Sequence, residues 1–439
     1  MREMFLVSRR TFKRRTRKSF ALFLLLVGLA CVGRAQTQGE SDTVVAIGDV
    51  HGAYDEFVRI LQRVGLIDKQ NHWAGSKATF VQVGDLIDRG PKPREVLDLM
   101  MALEKEAPDA GGRVISLLGN HEVMNIMGDL RYVTQVNYAS FADAHSEDRQ
   151  RSAYQQYVKW RAGHSELLAE LAQPMEITEA EWMARHPLGF IEQREAFSPK
   201  GEYGKWLREH IFVAKVGGVI FLHGGISPGI PHLTPDAINS HLRDEIKTFD
   251  AIKQYLVDEN VILPFFTFQE MAAAAQAELT AERKSRVTSN EEKQARLVQV
   301  LGLGDWLSIR VDGPLWFRGY DQWSDDEGAA EVEKLLNAYR VAHIVTGHTV
   351  QKSGRIRPRF GNKLFLIDTG MLSSYYPGGR ASALEICSDA KFTAQYMDEQ
   401  SVLLEPAASG QQGSVPATAA SAGALAGGGI CAAARAATH

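Results

Sequence analysis

TVVAIGDVHG, at residues 43–52, is a β-branched run that ends in a glycine-flanked Asp-x-His turn. Two later segments repeat this order of apolar run and polar turn, ATFVQVGDLIDRG at residues 78–90 and VISLLGNHE at residues 114–122. Helical apolar spacing occupies the intervals, over residues 54–64 and 91–106. The order predicts an α/β region whose polar turns lie at the C-terminal ends of strands, where ligands gather in layered α/β folds.

Two more polar segments follow much later in the chain. HGG at residues 223–225 comes after a predicted strand-turn-strand unit over residues 213–222, and GHT at residues 347–349 comes after a predicted strand over residues 342–346. A glycine beside a polar residue lets the backbone turn sharply and approach a ligand closely. Five segments of this kind in one chain predict that they share one site.

The side chains of these segments are oxygen and nitrogen donors of the kind that bind metals. Asp49 and His51 stand two apart on one loop, and Asp85 has two carboxylate oxygens that can bridge two ions. Donors of this mixed type, without thiolate, suit Mn²⁺, Fe or Zn²⁺ better than Ca²⁺, whose sites are all oxygen. The predicted cofactors are two divalent metal ions, and the predicted ligands are Asp49, His51, Asp85, Asn120, His223 and His348.

The remaining polar residues of these segments predict phosphoester hydrolysis. Two divalent ions about 3.5–4 Å apart lower the pKa of a bridging water and yield a hydroxide that attacks directly. Arg89 offers a planar fork for phosphate, and Arg318 is a candidate for a second contact, with a strand cap or a surface ion pair as its alternative role. His121, beside Asn120, is predicted to be the general acid. Asp88 is predicted to hold the His121 ring in the correct tautomer.

Two helix-like stretches interrupt the strand pattern, over residues 138–209 and 234–302. We interpret the tryptophans of the first stretch as core residues and the Ala- and Glu-rich run at residues 271–282 as solvated. The catalytic region then spans residues 43–400 as one α/β (α+β) domain with two helical insertions. Because both insertions lie between metal-ligand segments, we expect them to rim the site and to select substrates.

The N-terminal region has the order of an export signal over residues 1–35. A basic stretch precedes an apolar run at residues 20–32, which is shorter than the ~20 residues of a membrane span, and small residues follow near Ala35. Arg9 and Arg10 fit a twin-arginine signal or an ordinary basic region. We predict an exported protein, periplasmic or secreted, without a membrane span in the mature chain; the alternatives are an uncleaved anchor and an organelle transit peptide.

The composition is that of an ordinary globular protein. Of 439 residues, 45% are hydrophobic and 23% charged, and the formal net charge is −4, so we expect no nucleic-acid partner, which would favour a basic surface. The three cysteines lie far apart in the sequence, which argues against a thiolate metal site. Residues 406–439 are mainly Ala, Gly and Ser without an apolar period and predict a disordered tail.

The motifs together resemble those of the calcineurin-like metallophosphoesterases. The elements Asp88-Arg89-Gly90 and Asn120-His121-Glu122 resemble the phosphoprotein phosphatase branch of that superfamily. Within the branch, GNHEVMN at residues 119–125, GDLRY at residues 128–132 and GPLWFR at residues 313–318 resemble the bacterial-type Shewanella-like phosphatases.

This resemblance covers most of residues 44–386 and implies a central β-sandwich flanked by helices. It implies one ion on Asp49, His51 and Asp85, and a second on Asp85, Asn120, His223 and His348. It assigns proton delivery to His121 and Asp88, and phosphate binding to Arg89 and Arg318. The segment IDTGM at residues 367–371 departs from the Ser-Ala-Pro-Asn-Tyr stretch of eukaryotic members, which leaves phosphotyrosine and phosphoserine/threonine both open as substrates.

The predicted function is a metal-dependent phosphomonoesterase that acts on phosphorylated protein or peptide. One alternative is a hydrolase of nucleotides or diadenosine polyphosphates on the same scaffold, and another is a non-catalytic protein that binds metal or phosphate. Many diesterases of the superfamily carry Gly-His-x-His at the last motif, whereas GHTV at residues 347–350 has a single His and favours the monoesterase. None of the six predicted ligands is missing, which argues against the non-catalytic alternative.

Overall fold

A computed structural model describes residues 43–168, 178–230, 233–285, 290–388 and 390–405. The predicted export signal at residues 1–35 and the predicted tail at residues 406–439 lie outside this part of the chain. Among the described residues, no helix combines the length and the apolar character that crossing a bilayer would require.

The described residues contain eleven strands, which form two mixed sheets. They are β1 (Thr43–Ile47), β2 (Thr79–Gln82), β3 (Arg113–Ser116), β4 (Val213–Val216), β5 (Val219–Leu222), β6 (His343–Thr346), β7 (Arg357–Arg359), β8 (Leu364–Leu366), β9 (Ser382–Cys387), β10 (Phe392–Tyr396) and β11 (Gln400–Leu404). The first sheet has the order β11-β10-β9-β1-β2-β3 and the second has the order β4-β5-β6-β8-β7. Strands β1, β2 and β3 are parallel, as are β5, β6 and β8, so each sheet has one edge where several C-terminal strand ends meet.

The helices lie between these strands. They are α1 (Tyr54–Arg63), α2 (Pro93–Glu106), α3 (Asn120–Met127), α4 (Gln135–Phe141), α5 (Ser146–Gly163), α6 (Ser165–Leu168), α7 (Glu179–Arg185), α8 (Phe190–Ala196), α9 (Glu202–Glu209), α10 (Pro235–Asp258), α11 (Phe268–Ser285), α12 (Glu291–Leu301), α13 (Gly319–Gln322) and α14 (Asp325–Tyr339). Short 3₁₀ turns at Ala107–Ala110 and Leu303–Asp305 follow α2 and α12, respectively.

The two sheets pack face to face through apolar side chains that alternate along the strands. On β1, Val44 and Ala46 join a buried cluster that also contains Phe221 and Phe365 of the second sheet. Val45 and Ile47, on the opposite face of the same strand, join the core that contacts the helices. Every residue of β1 is therefore buried, and the predicted α/β fold with a central β-sandwich flanked by helices is confirmed.

The first helical stretch is organised around aromatic side chains. Trp160, Trp182 and Trp206 are all buried, so the interpretation of these residues as core is confirmed. Trp182 stacks on His186, with ring centroids 4.1 Å apart, and His186 Nε2 lies 3.1 Å from Glu270 Oε1. Since Glu270 belongs to α11, this contact joins the first helical stretch to the second.

The prediction that residues 271–282 are solvated is wrong. Met271, Ala274, Ala275, Ala277 and Leu279 of α11 are all buried. The apolar positions of this run recur at helical spacing, and small alanine side chains let neighbouring helices approach closely. Glu278 and Glu282 raise the average polarity of the run although they are themselves partly buried, which conceals the buried face.

Candidate active site

The structure brings all six predicted metal ligands together where the parallel strands of both sheets end. The first sheet supplies four of them, from the turns after β1 and β2 and from the first residue of α3, and the second sheet supplies two after β5 and β6. All six side chains are at least 95% buried: Asp49, His51, Asp85, Asn120, His223 and His348.

One group of donor atoms surrounds His223 Nε2. This atom lies 3.0 Å from Asn120 Oδ1, 3.1 Å from His348 Nδ1 and 3.3 Å from Asp85 Oδ2. The four atoms belong to four different segments of the chain and converge in a region that water barely reaches. Such a separation allows one ion to contact all of them.

In the neutral form of each histidine, the inward-facing ring nitrogen carries a lone pair, as the contact of the opposite nitrogen indicates. His223 Nδ1 faces the carbonyl oxygen of Val83 at 3.0 Å, and His348 Nε2 faces the carbonyl oxygen of Trp316 at 3.1 Å. Each of these ring nitrogens must carry the proton, because a carbonyl oxygen only accepts. The opposite nitrogens therefore point lone pairs at each other and at Asp85, an arrangement that fits a cation.

A proton can occupy the inward-facing nitrogen of His223 in the place that a cation would take. Burial lowers the pKa of His223, but the carboxylates of Asp85 and Asp49 outweigh burial and raise that pKa to about 9. Burial and the neighbouring carboxylate of Asp368 raise the pKa of Asp49 well above its usual value. Buried carboxylates that hold a proton on a neighbouring imidazole so strongly favour any positive charge placed among them.

A second group of donor atoms surrounds His51 Nε2. It lies 3.8 Å from Asp49 Oδ2 and 3.7 Å from Asp85 Oδ2, while His51 Nδ1 faces the carbonyl oxygen of Ile87 at 2.9 Å. His121 Nε2 also lies 3.8 Å from Asp85 Oδ2. Two sets of side chains are thus spaced to hold an ion and share Asp85. They are His51, Asp85 and His121, and Asp85, His223 and His348.

His121 also forms a buried pair with Asp88, in the place that the sequence analysis predicts. His121 Nδ1 lies 2.7 Å from Asp88 Oδ2, and both side chains are buried. A carboxylate on one ring nitrogen orients the imidazole and sets its tautomer. The other nitrogen, Nε2, then faces the donor groups described above, so the geometry permits His121 to act as a ligand or as an acid.

Arg89 lies over this site within a group of three tyrosines. Its Nη2 is 3.0 Å from His121 Nε2, its Nη1 contacts the imidazole of His51, and Nη1 donates to Tyr376 Oη at 2.5 Å. The guanidinium carbon lies 5.3 Å, 5.3 Å and 5.6 Å from the ring centres of Tyr132, Tyr375 and Tyr376, respectively. These distances are within the range of cation–π attraction, which holds the guanidinium at the site.

Arg318 lies at the rim of the site. Its Nη1 donates to the carbonyl oxygen of His348 at 2.9 Å and to Thr349 Oγ1 at 3.3 Å. The surface ion pair considered as an alternative is absent within the described residues, because no carboxylate there lies within 4.0 Å of Arg318. The exposed guanidinium caps the turn that carries a predicted ligand.

The backbone at the site is held in conformations that L-residues rarely adopt. Five residues have φ between 49° and 68°: His51, Asp85, Asp88, Arg89 and His348. Left-handed φ values are uncommon outside glycine, and they concentrate at functional sites where the surrounding structure holds them. Their clustering in three of the five polar segments distinguishes these turns from ordinary loops.

The adjacent glycines leave room for the carboxylates. A Cβ atom on Gly119 would lie 2.2 Å from Asp85 Oδ1, and one on Gly347 would lie 2.3 Å from Asp49 Oδ1. Both carboxylates therefore pack directly against neighbouring backbone. The sequence analysis identified the glycines as turn residues, and the structure shows that close approach is the stronger constraint at these two positions.

Sequence reasoning missed several residues that support the site. Glu122 accepts three backbone N–H groups of the polar turns, and Asn125 binds Asp88. Asp368 is buried beside Asp49, and burial raises its pKa to about 6. Two sequence signals could have identified Asn125 and Asp368 as site residues. Asn125 lies four residues after His121, on one face of α3, and Asp368 follows β8 as Asp85 follows β2.

Comparison with known proteins identifies the class to which this fold and site belong. The calcineurin-like phosphoesterase family matches residues 43–352, so the chain belongs to that family. The resemblance noted from the motifs is confirmed, and the protein is a hydrolase that acts on phosphoesters.

Two similar proteins and one solved structure show how much of the chain is matched and at what sequence identity. An uncharacterized protein of Schizosaccharomyces pombe is 28% identical over 365 residues, 81% of this chain and 80% of that protein. Shewanella-like protein phosphatase 2 of Arabidopsis thaliana is 32% identical over 230 residues, which are 49% of this chain and 54% of the relative. The crystal structure of a cold-active protein-tyrosine phosphatase of a psychrophile Shewanella sp. matches with 26% identity and a TM-score of 0.52, covering 83% of this chain and 80% of that one.

Proposed function

We propose that the protein is a binuclear metal-dependent phosphatase that removes phosphate from a phosphorylated protein or peptide. The observation that carries this proposal is the pair of donor groups that share Asp85 and adjoin the His121–Asp88 pair. The names of the relatives support a protein substrate.

The donor chemistry supports two ions in this site. The first would be held by Asp49, His51 and Asp85. The second would be held by Asp85, Asn120, His223 and His348. When bound, such ions supply an activated water and positive charge for the phosphoryl oxygens. Mn²⁺, Fe and Zn²⁺ all suit ligands of this mixed nitrogen and oxygen type.

His121 is proposed to protonate the leaving group from Nε2. Asp88 Oδ2 lies 2.7 Å from Nδ1, which orients the ring and keeps Nε2 directed into the site. Arg89 Nη2 is 3.0 Å from that nitrogen, so a phosphate held by Arg89 would lie next to the acid. Arg318, on the rim, is proposed to contact the phosphate from the other side.

The tyrosines around Arg89 favour phosphotyrosine as the substrate. Tyr375 is 51% exposed, whereas large aromatic residues are more often covered. An aryl phosphate bound by Arg89 would place its ring beside Tyr375 and Tyr132, where aromatic contacts contribute about 0.5–1.5 kcal/mol beyond buried area. An alkyl phosphate would make no such contact.

The first test measures hydrolysis of p-nitrophenyl phosphate by metal-depleted protein with added Mn²⁺, Zn²⁺ or Fe²⁺. We expect metal-dependent turnover, and we expect Asp85→Asn to lose both activity and bound metal, because Asp85 belongs to both donor groups. Asp250→Asn is the matched control, since Asp250 pairs with Arg208 away from the site. Phosphate binding without hydrolysis under every metal would instead support the non-catalytic alternative.

The second test compares rates on a phosphotyrosyl peptide, a phosphoseryl peptide and diadenosine tetraphosphate. We expect the phosphotyrosyl peptide to be fastest, and we expect Tyr375→Ala to reduce kcat/KM for it more than for the phosphoseryl peptide. If diadenosine tetraphosphate is fastest, the nucleotide hydrolase is the better description.

We also propose that residues 1–35 export the protein, on the basis of their basic, apolar and small-residue order. Fractionation of cells that express the full chain with a C-terminal tag tests this. Replacing Arg9 and Arg10 with lysines would block export only by the twin-arginine route. Retention of the unprocessed chain in the membrane would instead indicate an anchor.

A further inference from the structure

A buried chain of side chains connects the first helical stretch to the predicted acid His121. Asn125 Nδ2 donates to both carboxylate oxygens of Asp88 at 3.0 Å and to the carbonyl oxygen of His121 at 2.9 Å. Gln193 Nε2, on α8, donates to Asn125 Oδ1 at 2.6 Å. Asp88, His121, Asn125 and Gln193 are all at least 97% buried, so water does not substitute for these contacts.

The hydrogen-bond chemistry allows only one orientation of the Asn125 amide. Its Nδ2 faces three oxygens that only accept, two on Asp88 and one on the backbone of His121. Reversing the amide would place Oδ1 against the Asp88 carboxylate, where two acceptors would repel each other. Oδ1 must therefore face away from Asp88, and it needs a donor there.

Gln193 is that donor, and it comes from outside the catalytic sandwich. It lies 68 residues after Asn125 in the sequence, on a helix within residues 138–209. Its own Oε1 has no hydrogen-bond partner among the described residues. Among the described residues, Asn125 Oδ1 is therefore the one hydrogen-bond partner of the Gln193 side-chain amide.

We propose that Gln193 and Asn125 are positioning residues for the general acid. Gln193 fixes the amide of Asn125, Asn125 fixes both oxygens of Asp88, and Asp88 then holds His121 in the orientation that delivers its proton. The first helical stretch thereby takes part in catalysis rather than only framing the site. This inference rests on the proposed function, because it assumes that His121 protonates a leaving group.

The test varies the leaving group of an aryl phosphate. An acidic phenol, as in 2,4-dinitrophenyl phosphate, departs without a proton, whereas the phenol of phenyl phosphate needs one. We expect Gln193→Leu to lower kcat for phenyl phosphate about tenfold or more and for 2,4-dinitrophenyl phosphate less than about twofold, because loss of an outer hydrogen-bond partner commonly costs 10–100-fold. KM and metal content should stay unchanged. Asn125→Leu should show the same selectivity with a larger loss.

Gln150→Leu is the matched control from the same helical stretch. Gln150 Nε2 donates to the carbonyl oxygens of His186 at 2.6 Å and Met183 at 3.3 Å, so its loss disturbs helix packing without touching Asn125. It should lower both rates equally, if at all. An equal fall on both esters in Gln193→Leu, or no fall on phenyl phosphate, would overturn the proposal.

A second measurement does not depend on activity. The proton between His121 Nδ1 and Asp88 should give a downfield NMR resonance that is protected from exchange, because the pair is buried and short. We expect this resonance in the wild type and in Gln150→Leu, and we expect it to broaden or vanish in Gln193→Leu. If it is unchanged there, Gln193 does not position His121, whatever reaction the enzyme catalyses. A wild type without hydrolysis that still shows this selective loss would refute the proposed function but not the positioning.

Discussion

Replacing Glu122 with glutamine tests whether one buried carboxylate holds together the turns that carry predicted metal ligands. Its Oε2 accepts the backbone N–H groups of Asp85 at 2.9 Å and Gly119 at 2.8 Å, and its Oε1 accepts that of Leu86 at 2.8 Å. The side chain is fully buried. It therefore joins the turn after β2 to the turn before α3, and these two segments carry two of the six predicted ligands, Asp85 and Asn120.

The expected loss of stability follows from these three bonds. A glutamine oxygen at the Oε2 position would keep two bonds, but its amide group would face the Leu86 N–H and leave that donor unpaired, at a cost of about 1–3 kcal/mol. Bonds to a neutral oxygen are about half as strong as bonds to a carboxylate, which costs roughly 1 kcal/mol for each remaining bond. Burial and the charge of Asp85 raise the pKa of Glu122, so removing its charge returns part of this energy. We expect a net loss of about 2–3 kcal/mol in the free energy of unfolding.

The assay is chemical denaturation of Glu122→Gln in Mn²⁺ and in chelator, with Mn²⁺ affinity measured on the folded protein. We expect a lower midpoint in both conditions and weaker Mn²⁺ binding, because the backbone at Asp85 is no longer held. Glu104→Gln is the control: Glu104 also accepts three hydrogen bonds, from Ser116, Trp206 and His210, but at a distance from the site. A variant as stable as the wild type, or equal loss of Mn²⁺ affinity in the control, would refute this reasoning.

Three further expectations concern other parts of the protein. His121→Asn should retain both metals by elemental analysis and lower kcat about 10²–10⁴-fold, as loss of a general acid does; loss of one metal would show instead that His121 is a ligand. Trp182→Ala should lower the free energy of unfolding by about 3–5 kcal/mol, measured by denaturation, because the ring is fully buried; a small change would contradict its place in the core. Burial would raise the pKa of Glu104, but hydrogen bonds from His210, Ser116 and Trp206 outweigh it and lower that pKa. Its folded-state pKa lies below the unfolded value near 4.5, so its contribution to stability is present above that pH and is lost as the pH falls further; Glu104→Gln should therefore show a shallower decline in stability below about pH 4.5.

Local sequence patterns predicted much of the sandwich because its signals are short-range. The β-branched run at residues 43–47 alternates its side chains between two buried faces, and β1 begins and ends where that run does. The sequence pattern predicts a helix over residues 331–340, whereas α14 begins earlier, at Asp325, because Ser324 caps it by accepting the N–H of Glu327 at 3.3 Å. A capping serine is readable in a sequence, so this boundary was available and was missed.

The buried face of α11 was harder to recognise. Ala274, Ala275 and Ala277 are weakly apolar, and Gln276, Glu278 and Glu282 make the run look solvated. Whether alanine is buried depends on which helix approaches it. That partner lies elsewhere in the chain, and no local pattern identifies it.

The sequence alone determined which donor atoms the site contains and in what order, because each polar residue follows its own strand within a few positions and the parallel strands end at common edges. Only the tertiary structure decided which ring nitrogens face inward, since Val83 and Trp316 carbonyls select them from distant segments. The tertiary structure also brings Tyr376 into hydrogen-bond contact with Arg89, which is 287 residues away in the sequence. It likewise brings Gln193 into contact with Asn125, which is 68 residues away. Contacts between residues so far apart in the sequence depend on how whole helices and strands pack. No regular spacing of residues in the sequence therefore predicts them.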